Sequence, residues 1–351
     1  MTGQIPGTDQ RCPVFLITVD TEGDNLWARP RVITTRNAGF LPRFHALCLS
    51  YGLRPTYLVD YEMAIDAVFR EFGREIVQRG TGEIGMHLHA WNTPPTVPLT
   101  ADDYAHQPYL TDYPADVMEQ KVATMTRLLE DTFGVKTVSH RAGRWGLNAA
   151  YARLLVRYGY RVDCSVTPGV SWRSHRGHRA GAGGPDFSRF PSDAYFVDLN
   201  DISQPGGSPL LEVPVTIVPA RAHPVGTGWL RRRLTAGTPL AAAIAERARP
   251  SRHWLRPNGR NRHIMMQIVR DAVEAGRPYL EFMLHSSELM PGGSPRFSNR
   301  ASVERLYADL EVLFALARDR CRPATLAEFY TMMLAQRAGT CAPATISARP
   351  G

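Results

Sequence analysis

Seven short apolar runs, most of them ending in a charged or metal-binding residue, constrain this chain more than any other feature. They are "VFLITVD" (14–20), "RPTYLVD" (54–60), "EIGMHLHAW" (83–91), "TVSHRAG" (137–143), "RVDCSVTPG" (161–169), "LLEVPVTIVP" (210–219) and "PYLEFMLHS" (278–286). Such runs suit strands of a parallel sheet, which are buried on both faces. Between them lie stretches of helical spacing, near 37–51, 61–80, 115–134, 147–158 and 261–276. Met63, Ala67, Phe69, Phe72 and Ile76, for example, fall on one helical stripe. Further helices are expected near 300–319 and 325–336. This alternation predicts an α/β fold with crossover helices, about seven (β/α) units, and a closed or nearly closed barrel.

A chain of 351 residues, 44% hydrophobic, can bury one large core. A single domain is expected over 13–337, with irregular insertions at about 168–210 and 220–262. Residues 1–12 read as a disordered leader and 338–351 as a disordered tail. No run of about 18 apolar residues predicts a membrane span, and no basic segment followed by an apolar one predicts a signal peptide. The five cysteines are scattered, with no CxxC, which points to free thiols in a reducing cytoplasm rather than to disulfides or a zinc ribbon. The net charge is +8, and Lys121 and Lys136 are the only lysines, so the excess is arginine, densest in 220–262 from Arg231 to Arg233. No aromatic ladder accompanies it. A nucleic-acid partner is therefore not expected, and an acidic or phosphate-bearing substrate suits the charge better.

The chemistry lies at the strand ends, where barrel enzymes carry their sites. His87 and His89 are two apart, so on a strand both imidazoles point to one face. Asp20 and Glu22 repeat that spacing at the end of the first strand. Two histidines and a carboxylate form a ligand set for a hydrolytic divalent metal, with Zn²⁺ expected, and leave a position for water. One acid would then bind metal while the other takes the proton of the water, and Asp24 is a spare for either task. His285 suits a general acid, with Glu288 to orient it or merely to open a helix. Arg141 can grip a carboxylate through two nitrogens, which lysine does poorly. No G-x-S-x-G and no G-x-G-x-x-G following the first strand is present, which removes serine-hydrolase and dinucleotide-binding readings. Trp27, Trp91, Trp145 and Trp172 lie near these residues and suit stacking on a sugar face.

In this order the motifs "TVDTEGD", "EIGMHLHAWNTPP", "HRAGRWG" and "FMLHSSELMPGGSP" resemble those of the polysaccharide deacetylase superfamily, the NodB-homology carbohydrate esterases, and most of all a WalW-like branch. The resemblance spans residues 13 to about 295. It implies a distorted (β/α)₇ barrel and metal-dependent removal of an acetyl group, N-acetyl above all, from a sugar or glycan intermediate. By the same carry-over Asp20 is the base, Arg141 tethers it, His87 is a metal ligand and His285 is the acid. The oxyanion donor is a backbone N–H near Arg144 or Trp145. Two positions depart from the family's pattern. Thr21 stands where a second Asp is usual, so Glu22 or Asp24 must serve as the ligand, and Trp91 stands where a histidine is usual, which leaves His89 as the second imidazole. Two alternatives stay open: a metal-independent amidase acting on a non-sugar C–N bond, and a degenerate barrel that only binds glycans.

Overall fold

The computed structural model describes residues 12–178, 181, 183–220 and 252–340. The leader up to residue 11, the arginine-dense stretch 221–251 and the tail from 341 lie outside the described residues. Strand β1 (Val14–Thr21) is buried along its whole length. Its two faces pack into two core clusters, and its backbone is paired on both edges. β10 (Tyr279–His285) runs beside it in parallel from Val14↔Tyr279 to Asp20↔His285. The other edge is shared by β11 (Arg322–Ala324) at its start and β2 (Thr56–Val59) at its end. From β2 the sheet continues in parallel through β3 (Glu83–Leu88), β4 (Ser139–Ala142), β5 (Val162–Asp163) and β7 (Leu211–Glu212). Short β6 (Tyr195–Phe196) closes the path antiparallel to β7.

Seven parallel strands in the order β10-β1-β2-β3-β4-β5-β7 thus form a curled sheet, the distorted (β/α) barrel anticipated above. Among the described residues no ladder joins β7 to β10. The seam is instead stitched by single bonds: Tyr279 Oη donates to Pro214 O (2.8 Å), Glu281 N to Thr216 Oγ1 (2.8 Å), and Met283 N to Leu255 O (3.3 Å).

The α-helices of the described residues are α1 (Leu41–Ser50), α2 (Tyr61–Ile65), α3 (Ala67–Arg79), α4 (Asp103–His106), α5 (Ala115–Phe133), α6 (Ala149–Arg157), α7 (Arg262–Glu274), α8 (Arg300–Arg320) and α9 (Leu326–Thr340). Four expectations are corrected. The helix near 37–51 begins as a 3-10 turn, Arg36–Phe40, and becomes α-helical at Leu41, where Pro42 occupies the first turn. The single helix at 61–80 is broken at Asp66, whose extended backbone and carboxylate, accepting from Phe69 N (2.8 Å), start α3 afresh. The strand at 210–219 is cut: β8 (Ile217–Pro219) leaves the sheet to pair antiparallel with β9 (Arg252–Trp254). Pro214, which has no N–H to give a ladder, lies between the pieces. Finally, the last helix continues past 336 to Thr340. Among the described residues no helix is long and apolar enough to cross a membrane.

Candidate active site

Register brings the strand-end residues together: Asp20 lies opposite His285, and His87 opposite Arg141. Arg141, with no exposed surface, organises the floor of the site. Its Nη1 donates to Asp20 Oδ1 (2.5 Å), its Nε to Cys164 O (3.0 Å), and its Nη2 to both Thr18 Oγ1 (2.9 Å) and Glu281 Oε1. A guanidinium so placed has no water to fall back on, so its partners must satisfy it. Burial alone would raise the Asp20 carboxyl, but the charge of Arg141, followed by those of His87 and His285, holds it below the usual carboxylate range. Asp20 is therefore an ionised carboxylate already held in place.

Above it the carboxylate of Glu22 meets three imidazoles. Oε2 lies 3.0 Å from His89 Nε2 and 3.6 Å from His87 Nε2, and Oε1 lies 2.5 Å from His285 Nδ1. Burial opposes ionisation, but His285, and then His87 and His89, hold Glu22 well below its ordinary value. The backbone of Glu22 is fixed as firmly. Its N–H donates to Ser286 Oγ (3.1 Å), its carbonyl accepts from Asn37 Nδ2 (2.9 Å), and the next N–H, of Gly23, donates to Asp60 Oδ2 (3.0 Å).

Glu22, His87 and His89 each present a ligand atom within 4.8 Å of the others. His87 Nδ1 lies 3.0 Å from Arg141 O, which can only accept, so Nδ1 carries the proton and Nε2 faces Glu22. Burial would lower the His87 pKa, yet Asp20 and Glu22 raise it above the ordinary value. The pocket attracts positive charge, and a cation can take the place of that proton. Burial and the neighbouring His87 push His89 down to about 4, so its ring is neutral at pH 7, as a ligand must be. The donor set fits a divalent metal.

The remaining candidates divide. Trp91 is buried with its ring 4.5 Å from that of His89, and Trp145 lies over the Arg141 guanidinium at 5.2 Å. Both line a cavity of about 270 Å³ together with Asp20, Glu22, His87, His89, Arg144 and His285. Arg144 and Trp145 have left-handed backbones (φ 56° and 64°), which turn the chain sharply at the mouth. Trp27 packs edge-on against the His285 ring at 4.9 Å. Asp24 is not brought to the site. Its carboxylate accepts from Thr34 Oγ1, Arg36 N and Nε, and Asn37 N and Nδ2, and so ties down the 3-10 turn at 36–40. Glu288 accepts the backbone N–H of His285 (3.0 Å), not its ring, and pairs with Arg256. The ring of His285 is held by Glu22 instead.

Glu281, Thr18 and Arg256 were missed as site residues. A lone acid inside the apolar run "PYLEFMLHS" is the signal that betrays Glu281. Thr18 sits two residues before Asp20 on the same face. Arg256 gives no such signal, because it reads as one of many arginines in an insertion.

No family model matches this chain, and no curated protein matches it either. Solved structures do. A Mycobacterium smegmatis protein, provisionally named a polysaccharide deacetylase, resembles it with a TM-score of 0.52 at 17% identity, over 100% of this chain and 98% of its own. A Parabacteroides distasonis protein, provisionally named a glycoside hydrolase/deacetylase, gives 0.51 at 11% identity, over 95% and 73%. At such identities the likeness is one of fold: this chain shares its distorted (β/α) barrel with these two proteins.

Proposed function

We propose that the protein is a metal-dependent hydrolase that releases acetate from an N-acetylated sugar or glycan in a reducing cytoplasm. One observation carries the reading: an arginine-held carboxylate, a Glu-His-His ligand cluster and a third histidine open into one pocket. Glu22, His87 and His89 would hold the metal, with Zn²⁺ the expected ion. A divalent cation held there would supply Lewis acidity for the acetyl carbonyl and for the attacking water. Asp20, kept ionised by Arg141, accepts the proton of that water. His285 Nε2, 4.0 Å from Asp20 Oδ2, gives a proton to the departing amine. The backbone N–H groups of Arg144 or Trp145 are the proposed donors to the carbonyl oxygen. Trp91 and Trp145 flank the sugar.

The test is acetate release from N-acetylglucosamine oligosaccharides by the metal-loaded and the chelator-stripped protein, with metal content measured in both. Release that stops on stripping and returns with Zn²⁺ supports the proposal. Release that survives stripping keeps the sugar deacetylase and removes the metal from its mechanism. Absence of release from every acetylated sugar, with tight glycan binding retained, decides for the degenerate barrel.

A further inference from the structure

The pocket wall that carries Trp145, Trp172 and Arg256 borders a second cavity. This space, of about 390 Å³, shares those three residues with the active pocket and adds Arg252, Trp254 and Arg296. Its aromatic side is continuous. Trp145 and Trp172 lie nearly parallel, 17° apart with centroids at 6.5 Å, and Trp254 leans against both at 5.9 and 6.5 Å. Its charged side draws guanidiniums from three separate places: β9, the turn after it, and the loop before α8. No lining residue is acidic. Glu288 reaches Arg256 from behind, accepting from Nη2 at 3.0 Å, and Arg256 Nε is buried without a hydrogen-bond partner. Arg296 makes no ion pair among the described residues. Burial lowers its pKa, and the charge of Arg256 lowers it further. The Arg252 guanidinium lies against the bare backbone of Gly169, where any side chain would collide with it. Three cations thus surround one concavity with a single carboxylate behind them, and their mutual repulsion is relieved when an anion enters.

We propose that this cavity is an acidic-sugar subsite. The unit adjoining the acetylated sugar bears a carboxylate or a phosphate, received by Arg252, Arg256 and Arg296, while its ring stacks on the tryptophan face. This names the substrate class of the deacetylase reading and rests on it. The shared pocket wall sets the order: acetylated unit over the histidines, anionic unit over the arginines.

Calorimetric binding to the full chain needs no turnover and so reads the subsite apart from catalysis. Three tetrasaccharides serve as probes. One is neutral chitotetraose, one alternates N-acetylglucosamine with glucuronate, and one is chitotetraose phosphorylated at O6. One of the two acidic probes is expected to bind about tenfold tighter than the neutral one at low salt, and the gap to close as salt rises. Which acidic probe wins identifies the anion. The Arg252→Gln/Arg296→Gln double variant should lose the preference, and the double Lys variant should keep part of it, because the charge remains without the planar fork. Equal affinity for all three probes, or a preference that survives in the double Gln variant, overturns the proposal. Acetate release is followed on the same compounds. A preserved acidic preference without release removes the deacetylase reading and leaves the subsite, and release without preference does the reverse.

Discussion

Replacing Glu281 by glutamine tests the electrostatic account of the barrel floor. Glu281 has no exposed surface, and its Oε1 accepts from Thr18 Oγ1 (2.8 Å) and from Arg141 Nη2. Burial pushes its carboxyl up to about 7 from 4.5, against the pull of Arg141 and Thr18. Between those two values the folded chain keeps a proton that the unfolded chain has released. The stability this group contributes is therefore complete below pH 4.5, declines as pH rises, and is gone above about 7. About 2.5 pH units at about 1.4 kcal/mol each amounts to about 3 to 3.5 kcal/mol. Glutamine keeps an oxygen for both donors and does not titrate. At pH 5, where Glu281 is itself neutral, the variant should match the parent to within about 1 kcal/mol. By pH 8 it should be the more stable protein by about 3 kcal/mol. Urea unfolding at pH 5, 6, 7 and 8, at fixed ionic strength, measures the difference directly. A gap between variant and parent that is the same at every pH would refute the reasoning, for it would mean that Arg141 keeps both carboxylates ionised throughout.

Glu22→Gln removes the charge that gathers three imidazoles; competition titration with a Zn²⁺ chelator should show affinity lower by about 100-fold, and unchanged affinity would remove Glu22 from the ligand set. Gly143→Ala puts a carbon 2.5 Å from Leu88 O and 2.8 Å from His89 Nδ1, so β3 and β4 must part. About 1–3 kcal/mol of stability should be lost in thermal unfolding, with weaker metal binding, and a variant indistinguishable from the parent would mean that His89 is not held there. His45, bonded to Tyr57 and Thr81, is held down by burial to about 4, so the unfolded chain takes up a proton first as pH falls from 6.5 and stability drops. His45→Gln should spare about 2 kcal/mol of that drop between pH 7 and pH 5, read from urea midpoints.

The parts of this fold legible in the sequence are those where one period dominates. "VFLITVD" is apolar on both faces because Phe15, Ile17 and Val19 pack into one core cluster and Val14 and Leu16 into another, and the 115–134 stripe survives intact as α5. The strand-end residues were legible for the same reason. Alternation places Asp20 and Glu22, and His87 and His89, on common faces, and parallel register then does the rest. Failures fall where a local preference overrides the period. Asp66 reads as part of one helix but caps a second, and Pro214 divides what reads as one strand. Asp24 looks like a spare ligand by spacing alone, yet its five bonds to the 34–37 segment turn it away. Arg256 meets Glu288 across 32 residues of sequence, a pairing no periodicity encodes.

The stitched seam between β7 and β10 has a dynamic consequence. A ladder spreads its hold over paired backbone groups, whereas here the Tyr279 hydroxyl and the Thr216 hydroxyl bear much of it. Amide protons at Glu281 and Leu255 should therefore exchange with deuterium sooner than those in the middle of β1, since opening them disturbs fewer neighbours. Leu255 lies between Trp254 and Arg256, so an opening of the seam at Leu255 would move the tryptophan and arginine wall as well. The seam expected to open first is thus the line along which the second cavity is built.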